Sequence, residues 1–192
     1  MGAFFTNYQV RGKSASEVCG ALEPLVEGQA YVSPEKNGWV TVYDSASDRQ
    51  EESTITHLAA ELSRSLDTAV FGFMVHDSDI AFYWLYQNGV LINEFNSAPD
   101  YFETAGEETK FRVRGDAEAL LPFCVVGTSP SQIEAVIHPA ENFPVFAEEI
   151  LVKLSQLFGI DDVRMSLGFE YFDGGGEERV LDSSEFTLVG TS

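Results

Sequence analysis

The sequence predicts a mixed α+β fold, and three patterns support that prediction. The first third of the chain alternates short strand-like runs with two stretches of helical period. Residues 70–95 then hold three strand-like runs separated by turn residues, and residues 116–158 return to helical period. With 192 residues, 44% of them hydrophobic, the chain can bury a core without metals or disulfides. We expect a single composite domain over 1–192, with an α+β half at 1–100 and a helix-rich half at 101–192.

The first predicted elements are a strand and a helix. Residues 3–10 (AFFTNYQV) form a strand-like run that ends at Gly12. Ser14 and Glu17 have the S-x-x-E spacing of a capping box, in which each side chain satisfies a free backbone amide of the first helical turn. A helix is expected to follow, and its apolar stripe consists of Val18, Leu22, Leu25 and Val26.

A hairpin and a second helix come next. The runs 29–33 and 39–43 favour strands, and Asn37-Gly38 between them supplies the positive φ of a tight turn. Residues 51–67 have helical period, with an apolar stripe at Ile55, Leu58, Ala59, Leu62 and Leu66. With a further strand from Val70, the element order is β-α-β-β-α-β, which matches the split arrangement of ferredoxin-like folds. We therefore predict a ferredoxin-like (βαββαβ) N-terminal half.

Three strand-like runs, 70–76, 80–86 and 90–95, predict an antiparallel meander that extends this sheet. In the middle run, IAFYWLY, both alternating sets of side chains are apolar or aromatic. A strand with one face in water alternates apolar and polar residues, so we expect this run to be covered on both faces. The two early helices cover one face only, and the second half of the chain is the expected cover of the other.

The second half is predicted to be mainly helical. Asp116 caps a short helix that runs to Phe123, and Ser129-Pro130 begins another. A third helix extends from Phe143 and ends at Gly159, whose lack of a side chain suits a helix terminus.

Two stretches of the second half favour strands. Residues 165–172 and 179–189 flank the turn residues Asp173 to Gly176, so we expect the chain to end in a β-hairpin packed on the sheet. Residues 110–114 (KFRVR) form a short strand-like stretch that gathers three of the eleven basic residues.

The charge of the chain limits its ligands. The 31 acidic residues outnumber 11 basic ones, giving a formal charge of −20 that is spread over both halves. Phosphate groups are bound mainly through Lys and Arg, so neither nucleic acid nor an anionic membrane surface is an expected ligand. The surplus of carboxylates favours a basic partner.

Cysteine usage and hydropathy indicate a compartment. Cys19 and Cys124 stand in apolar surroundings without CxxC spacing and are predicted to be free thiols in a reducing cytoplasm. The chain has no charged start followed by a long apolar run and no apolar stretch of membrane-spanning length. A cytoplasmic protein of undetermined oligomeric state is therefore expected.

Catalytic templates are absent: the chain has no GxSxG, no HExxH, no Walker lysine loop and no GxGxxG after a strand. The most site-like cluster is His76, Asp77 and Asp79, because an imidazole and two carboxylates at a strand end can hold a divalent ion or serve as base and orienter. The alternative is that Asp77-Ser78-Asp79 only makes a hairpin turn and His76 ends the strand.

A second candidate is the loop 96–102, which contains Asp100 and Tyr101. This loop is either an exposed binding loop or a turn whose aromatic residues attach the second half to the sheet. No catalytic residue, metal or cofactor is predicted.

Two functions of different class remain. The first is a non-catalytic protein-binding module, such as an inhibitor or immunity-type protein for a basic partner. The alternative is a small-molecule-binding protein or enzyme with a crevice between the two halves, lined by the meander aromatics and by His76, Asp77 and Asp79.

Overall fold

The computed structural model describes residues 2–140, 144–174 and 181–191, which form seven strands and eight α-helices. The strands are β1 (Phe5–Arg11), β2 (Gln29–Val32), β3 (Trp39–Asp44), β4 (Ala69–His76), β5 (Ile80–Gln87), β6 (Val90–Asn96) and β7 (Thr187–Gly190). The helices are α1 (Ala15–Leu22), α2 (Glu52–Leu66), α3 (Glu107–Arg112), α4 (Ala117–Leu120), α5 (Pro130–Ile137), α6 (Glu148–Phe158), α7 (Asp162–Met165) and α8 (Phe169–Asp173). The mixed α+β class predicted from the sequence is confirmed.

All strands belong to one antiparallel sheet with the order β6-β5-β4-β1-β3-β2-β7. β1 lies at its centre, where Tyr8 is paired with Val42 of β3 on one side and Gly72 of β4 on the other. The first four strands therefore have the order β4-β1-β3-β2, and β5 and β6 extend the sheet beyond β4.

Tight turns join the hairpin strands. In each turn two consecutive residues have positive φ, which is the backbone of a type I′ turn and matches the twist of the flanking strands. These pairs are Asn37-Gly38, Asp77-Ser78 and Asn88-Gly89. The predicted hairpin of β2 and β3 and the predicted meander of β4, β5 and β6 are confirmed.

Helices α1 and α2 pack on one face of the sheet. α1 begins with the predicted capping box: Ser14 Oγ accepts from the Glu17 amide at 3.3 Å, and the Glu17 carboxylate accepts from the Ser14 amide at 2.9 Å. The core of this face includes Tyr8, Val18, Leu22, Ile55, Leu62 and Trp84.

Helices α4, α5 and α6 contribute to the cover of the opposite face. Phe71, Phe73 and Tyr83 of the sheet belong to one core with residues of these helices, including Leu120, Ile133 and Leu154. Strand β5 lies between the two layers, and residues 80–85 are each at most 8% exposed. The predicted burial on both faces is confirmed for residues 80–85, whereas Tyr86, at the end of the predicted run, is only partly buried.

The predicted C-terminal β-hairpin is wrong. Residues 165–172, expected to be a strand, contribute instead to helices α7 and α8. Residues 175–180 of the expected turn and second strand lie outside the described residues. In the rest of that expected strand, 183–185 form a 3-10 helix and 187–189 belong to β7, which pairs with β2 at the sheet edge. A short apolar run fits a strand or a buried helical turn equally well, and here Phe169 and Phe172, one turn apart, pack beside Tyr43.

Residues 110–114 are also misassigned by the sequence pattern, because α3 includes 110–112. Glu107 and Glu108 stand in its first turn, with Lys110 and Arg112 in its last, an arrangement that complements the helix dipole. The third predicted helix begins at Glu148, and Phe143 lies outside the described residues.

Both cysteines are free thiols, as predicted. Among the helices of the described residues, none combines the length and apolar character that crossing a bilayer requires.

Candidate functional site

The turn between β4 and β5 directs its two carboxylates to different partners. Asp77 Oδ1 accepts a hydrogen bond from the Gly2 amide at 2.8 Å, and a Cβ at Gly2 would overlap the Asp77 carbonyl. Asp79 Oδ2 accepts from the Tyr101 hydroxyl at 2.9 Å. Both aspartates line one cavity, whereas His76 lines another. The structure therefore does not bring His76, Asp77 and Asp79 together in one cavity, and no group of three metal-ligating side chains occurs among the described residues.

Asp100 holds the loop that follows β6. Its carboxylate accepts from the Ala105 amide at 2.9 Å and lies 2.8 Å from Lys110 Nζ. The hydrogen bond from Lys110 lowers the pKa of Asp100, with a further contribution from the Ala105 amide. Asp100 thus ties the loop to helix α3.

Tyr101 does reach the neighbourhood of His76. The two ring centroids are 6.4 Å apart, and Phe102 is closer to the imidazole at 5.3 Å. The bond to Asp79 raises the pKa of the Tyr101 hydroxyl, because an anionic acceptor stabilises the protonated phenol.

The cavity that contains His76, here called the His76 cleft, has a volume of about 630 Å³ and lies beside the N-terminal end of α2. Its floor is the α2-facing side of β4, β5 and β6, with Met74, His76, Phe82, Trp84, Glu94 and Asn96. One wall contains residues 48–50 and 52, and the other contains residues from the segment 99–113. The cleft therefore lies between the first half of the chain and the start of the second.

His76 has a defined orientation in this cleft. Its Nδ1 lies 2.7 Å from Gln50 Oε1, and Gln50 Nε2 donates to the Val75 carbonyl at 2.7 Å. Because the Gln50 nitrogen must face the Val75 carbonyl, the Gln50 oxygen faces the imidazole. His76 Nδ1 therefore carries a hydrogen and donates it to that oxygen. No described residue forms a hydrogen bond with His76 Nε2, which in the neutral imidazole is an acceptor.

The lining of the cleft contains more carboxylates than guanidinium groups. Glu94 is 7% exposed and forms an ion pair with Arg112. Glu52, Glu103 and Arg49 also line the cleft, and none of them forms an ion pair with a described residue. After Glu94 and Arg112 neutralise one another, negative charge remains in excess.

Asp48 is the fourth carboxylate of the cleft and lies on the wall that contains residues 48–50 and 52. Its oxygens accept from the Thr6 amide at 3.3 Å and the Glu170 amide at 2.7 Å. Burial raises the pKa of Asp48 to about 6, although the two amide hydrogen bonds act in the opposite direction. The group is therefore mostly ionised at neutral pH.

The polar contacts of His76 and the lining of the cleft define what this site can bind. Gln50 contacts His76 through its amide oxygen, and an amide of this kind orients an imidazole in binding sites and in catalytic triads alike. No serine, cysteine or threonine of the described residues forms a hydrogen bond with this imidazole. An oriented acceptor, an apolar floor and excess negative charge together suit a ligand that donates hydrogen bonds and carries positive charge.

Sequence reasoning identified His76 and the loop 96–102, which contains Tyr101 and Phe102, but missed Phe4 and Gln50. Gln50 precedes α2 and Phe4 precedes β1, so neither is near His76 along the chain. One sequence signal could have outlined the cleft. Side chains alternate between the two faces of a strand, which places Met74 and His76 on the same face of β4 and makes that face continuous with Phe82 and Trp84.

Comparisons of this chain with protein-family models, with curated proteins and with solved structures find no match. The chemistry of the His76 cleft is therefore the basis for inferring function.

Proposed function

We propose that this protein is a non-catalytic binding module for a basic protein partner, acting as an inhibitor or immunity-type protein. The observation that carries the proposal is the His76 cleft, which combines an aromatic floor with four carboxylates against two guanidinium groups. Interfaces of this kind bury apolar rings at their centre and use a charged rim to select the partner.

The charge of the whole chain supports the same partner class. A formal charge of −20 accelerates encounter with a positive protein and repels a negative one. The effect is electrostatic and screened within about 10 Å at 0.1 M salt, so affinity for such a partner should fall as salt is added.

The proposal also includes the topology of the N-terminal half and the location of the protein. The order β4-β1-β3-β2, with α1 and α2 on one face, supports a ferredoxin-like N-terminal half in which β5 and β6 are an extension. The floor of the cleft extends from β4 onto these two added strands. A cytoplasmic location belongs to the proposal and is supported by two free cysteines, which are usual in a reducing compartment.

The test is capture of partners from native cells by the immobilised full-length protein, followed by mass spectrometry. We expect a protein of high isoelectric point that is retained at about 50 mM salt and released at about 500 mM salt. The variant Phe102→Ala should lose this protein, whereas Phe111→Ala should retain it. The two phenylalanines are matched, since each is 66% exposed and only Phe102 lines the cleft. Retained proteins that are all neutral or acidic, or equal retention by both variants, would contradict the proposal.

A small-molecule-binding protein or enzyme is the second candidate. It is favoured by the volume of the cleft, about 630 Å³, and by His76 Nε2, which accepts no hydrogen bond from a described residue. A low-molecular-weight compound that raises the melting temperature of the wild type but not of Phe102→Ala, without any captured protein, would favour this candidate.

A further inference from the structure

The aromatic residues of the His76 cleft are arranged to receive a cation. Phe82 and Trp84 stack on the floor with ring centroids 5.6 Å apart and planes within 6° of parallel. Phe4 and Phe102 flank His76, with centroid distances of 4.8 and 5.3 Å to the imidazole. A cation within about 6 Å of an aromatic ring is attracted to its face, and an alkyl chain packs against the same surface.

The polar groups of the cleft favour a positively charged ligand. In the neutral imidazole His76 Nε2 offers a lone pair, and the rim carboxylates of Glu52 and Glu103 form no ion pair with a described residue. Arg112 is neutralised by Glu94, which leaves Arg49 as the unpaired positive group among the described lining residues. A ligand rich in donors is therefore favoured over an anion.

We propose that the His76 cleft binds an alkylguanidinium or alkylammonium group on an apolar stem, namely an arginine or lysine side chain of the partner. This inference rests on the proposed function and names the chemistry that the partner presents. The apolar stem packs against the exposed rings of Phe4 and Phe102, above the floor that Phe82 and Trp84 close, and the head donates to His76 Nε2 and the rim carboxylates. Arginine and lysine combine an apolar stem with a charged head in this way.

The experiment uses the full-length protein and two blocked tripeptides, Gly-Arg-Gly and Gly-citrulline-Gly, which differ in charge but little in shape. Binding is followed by NMR shifts of the two tryptophan indole signals. Trp84 lies on the floor of the cleft, while Trp39 is buried on the opposite face of the sheet and serves as an internal reference. We expect the arginine peptide to shift the Trp84 signal with millimolar affinity and the citrulline peptide to bind about fivefold more weakly.

Matched variants test whether the arginine peptide binds in the His76 cleft. Phe102→Ala and Glu103→Gln should each weaken binding of the arginine peptide about threefold, because one removes a ring and the other a rim charge. Phe111→Ala and Glu108→Gln, at exposed positions outside the cleft, should leave it unchanged. Absence of a Trp84 shift up to about 10 mM peptide, equal binding of the two peptides, or equal effects of the two variant pairs would overturn the inference.

Failure here is distinguishable from failure of the proposed function. If the arginine peptide does not bind but a basic partner is captured and is lost in Phe102→Ala, the ligand chemistry is wrong and the binding module stands. If the peptide binds and no basic protein is captured, the protein partner is wrong. A free amine such as cadaverine, shifting the same Trp84 signal, then identifies a small-molecule source of the same cation.

Discussion

The two faces of the β4–β5–β6 region differ in how completely they are covered. On one face, Phe71, Phe73 and Tyr83 are fully buried in a core that includes residues of α4, α5 and α6. On the other face, α2 covers part of the sheet and the segment 97–113 covers another part, leaving the His76 cleft. Helix α6 buries five of its residues, whereas α3, the helix in that segment, buries none. The closed face supplies stability, and the partly open face supplies the candidate binding surface.

This difference follows from the sequence of the covering segments. The α6 sequence EEILVKLSQLF has a continuous apolar stripe, so it gains free energy by lying flat on the sheet. The α3 sequence EETKFR is polar on almost every side and has nothing to bury. A loop and a polar helix can close over a sheet edge without filling the space above it, and the cleft is the result.

The largest expected effect is that of Trp84→Asp. An unpaired carboxylate at this covered position costs several kcal/mol, which is comparable to the total stability of about 5–15 kcal/mol for a small domain. We expect the variant not to fold at 37 °C or to form a molten species, as judged by near-UV circular dichroism. Soluble protein with cooperative urea unfolding would show that the floor of the cleft is too open to exclude water.

Truncation of one ring on each face compares the two faces directly. Phe71→Ala should lower the free energy of unfolding by about 4 kcal/mol, because it leaves a closed cavity among five other rings. Phe82→Ala should cost roughly 2 kcal/mol, since the space it leaves opens into the cleft and can fill with water. The measurement is urea denaturation of both variants, and equal losses would contradict the distinction between the faces.

Asp48 gives the wall of the cleft a pH dependence. Its pKa is raised by burial to about 6, so the unfolded chain releases this proton near pH 4 and the folded chain near pH 6. Burying the ionised Asp48 carboxylate lowers the stability of the folded protein. This loss of stability is absent below pH 4, grows as the pH rises from 4 to 6 and is complete above pH 6. Asp48→Asn removes it, so the stability of the variant relative to wild type should rise by up to about 3 kcal/mol between pH 3.5 and pH 7. A difference that stays constant across this range in urea denaturation would be inconsistent with a raised pKa.

The smallest expected effect on stability is that of Phe102→Ala. The ring is 66% exposed, so its removal should change the free energy of unfolding by no more than about 0.5 kcal/mol. Thermal unfolding checks this expectation, with Phe111→Ala as the control of equal exposure. A large loss of stability would mean that Phe102 belongs to the core, and its effect on ligand binding would then need another explanation.

Several elements were predictable because their signals are local. The Ser14-Glu17 capping box, the Asn-Gly turns and the doubly apolar run 80–86 each depend on residues that are close together in the chain. The misassigned segments, 110–114 and 165–172, are short stretches in which strand and helical patterns overlap. In both, the surroundings decided the outcome.

The candidate site was predictable only in part. His76 and Tyr101 were identified from their positions at the end of a strand and in a loop, although their surroundings differ from the expected cluster of carboxylates. Gln50, which orients His76, is 26 residues away, and Phe4 comes from the other end of the first half. No local pattern brings such residues together.

Residue order alone dictates the longer strands and helices and which strand needs cover on both sides, because backbone preferences and side-chain period act over a few residues. The position of the cleft arises from long-range packing. It depends on how far α2 extends over the sheet and on a polar segment folding back across β6, and the free energies that set these placements come from contacts between residues distant in the chain.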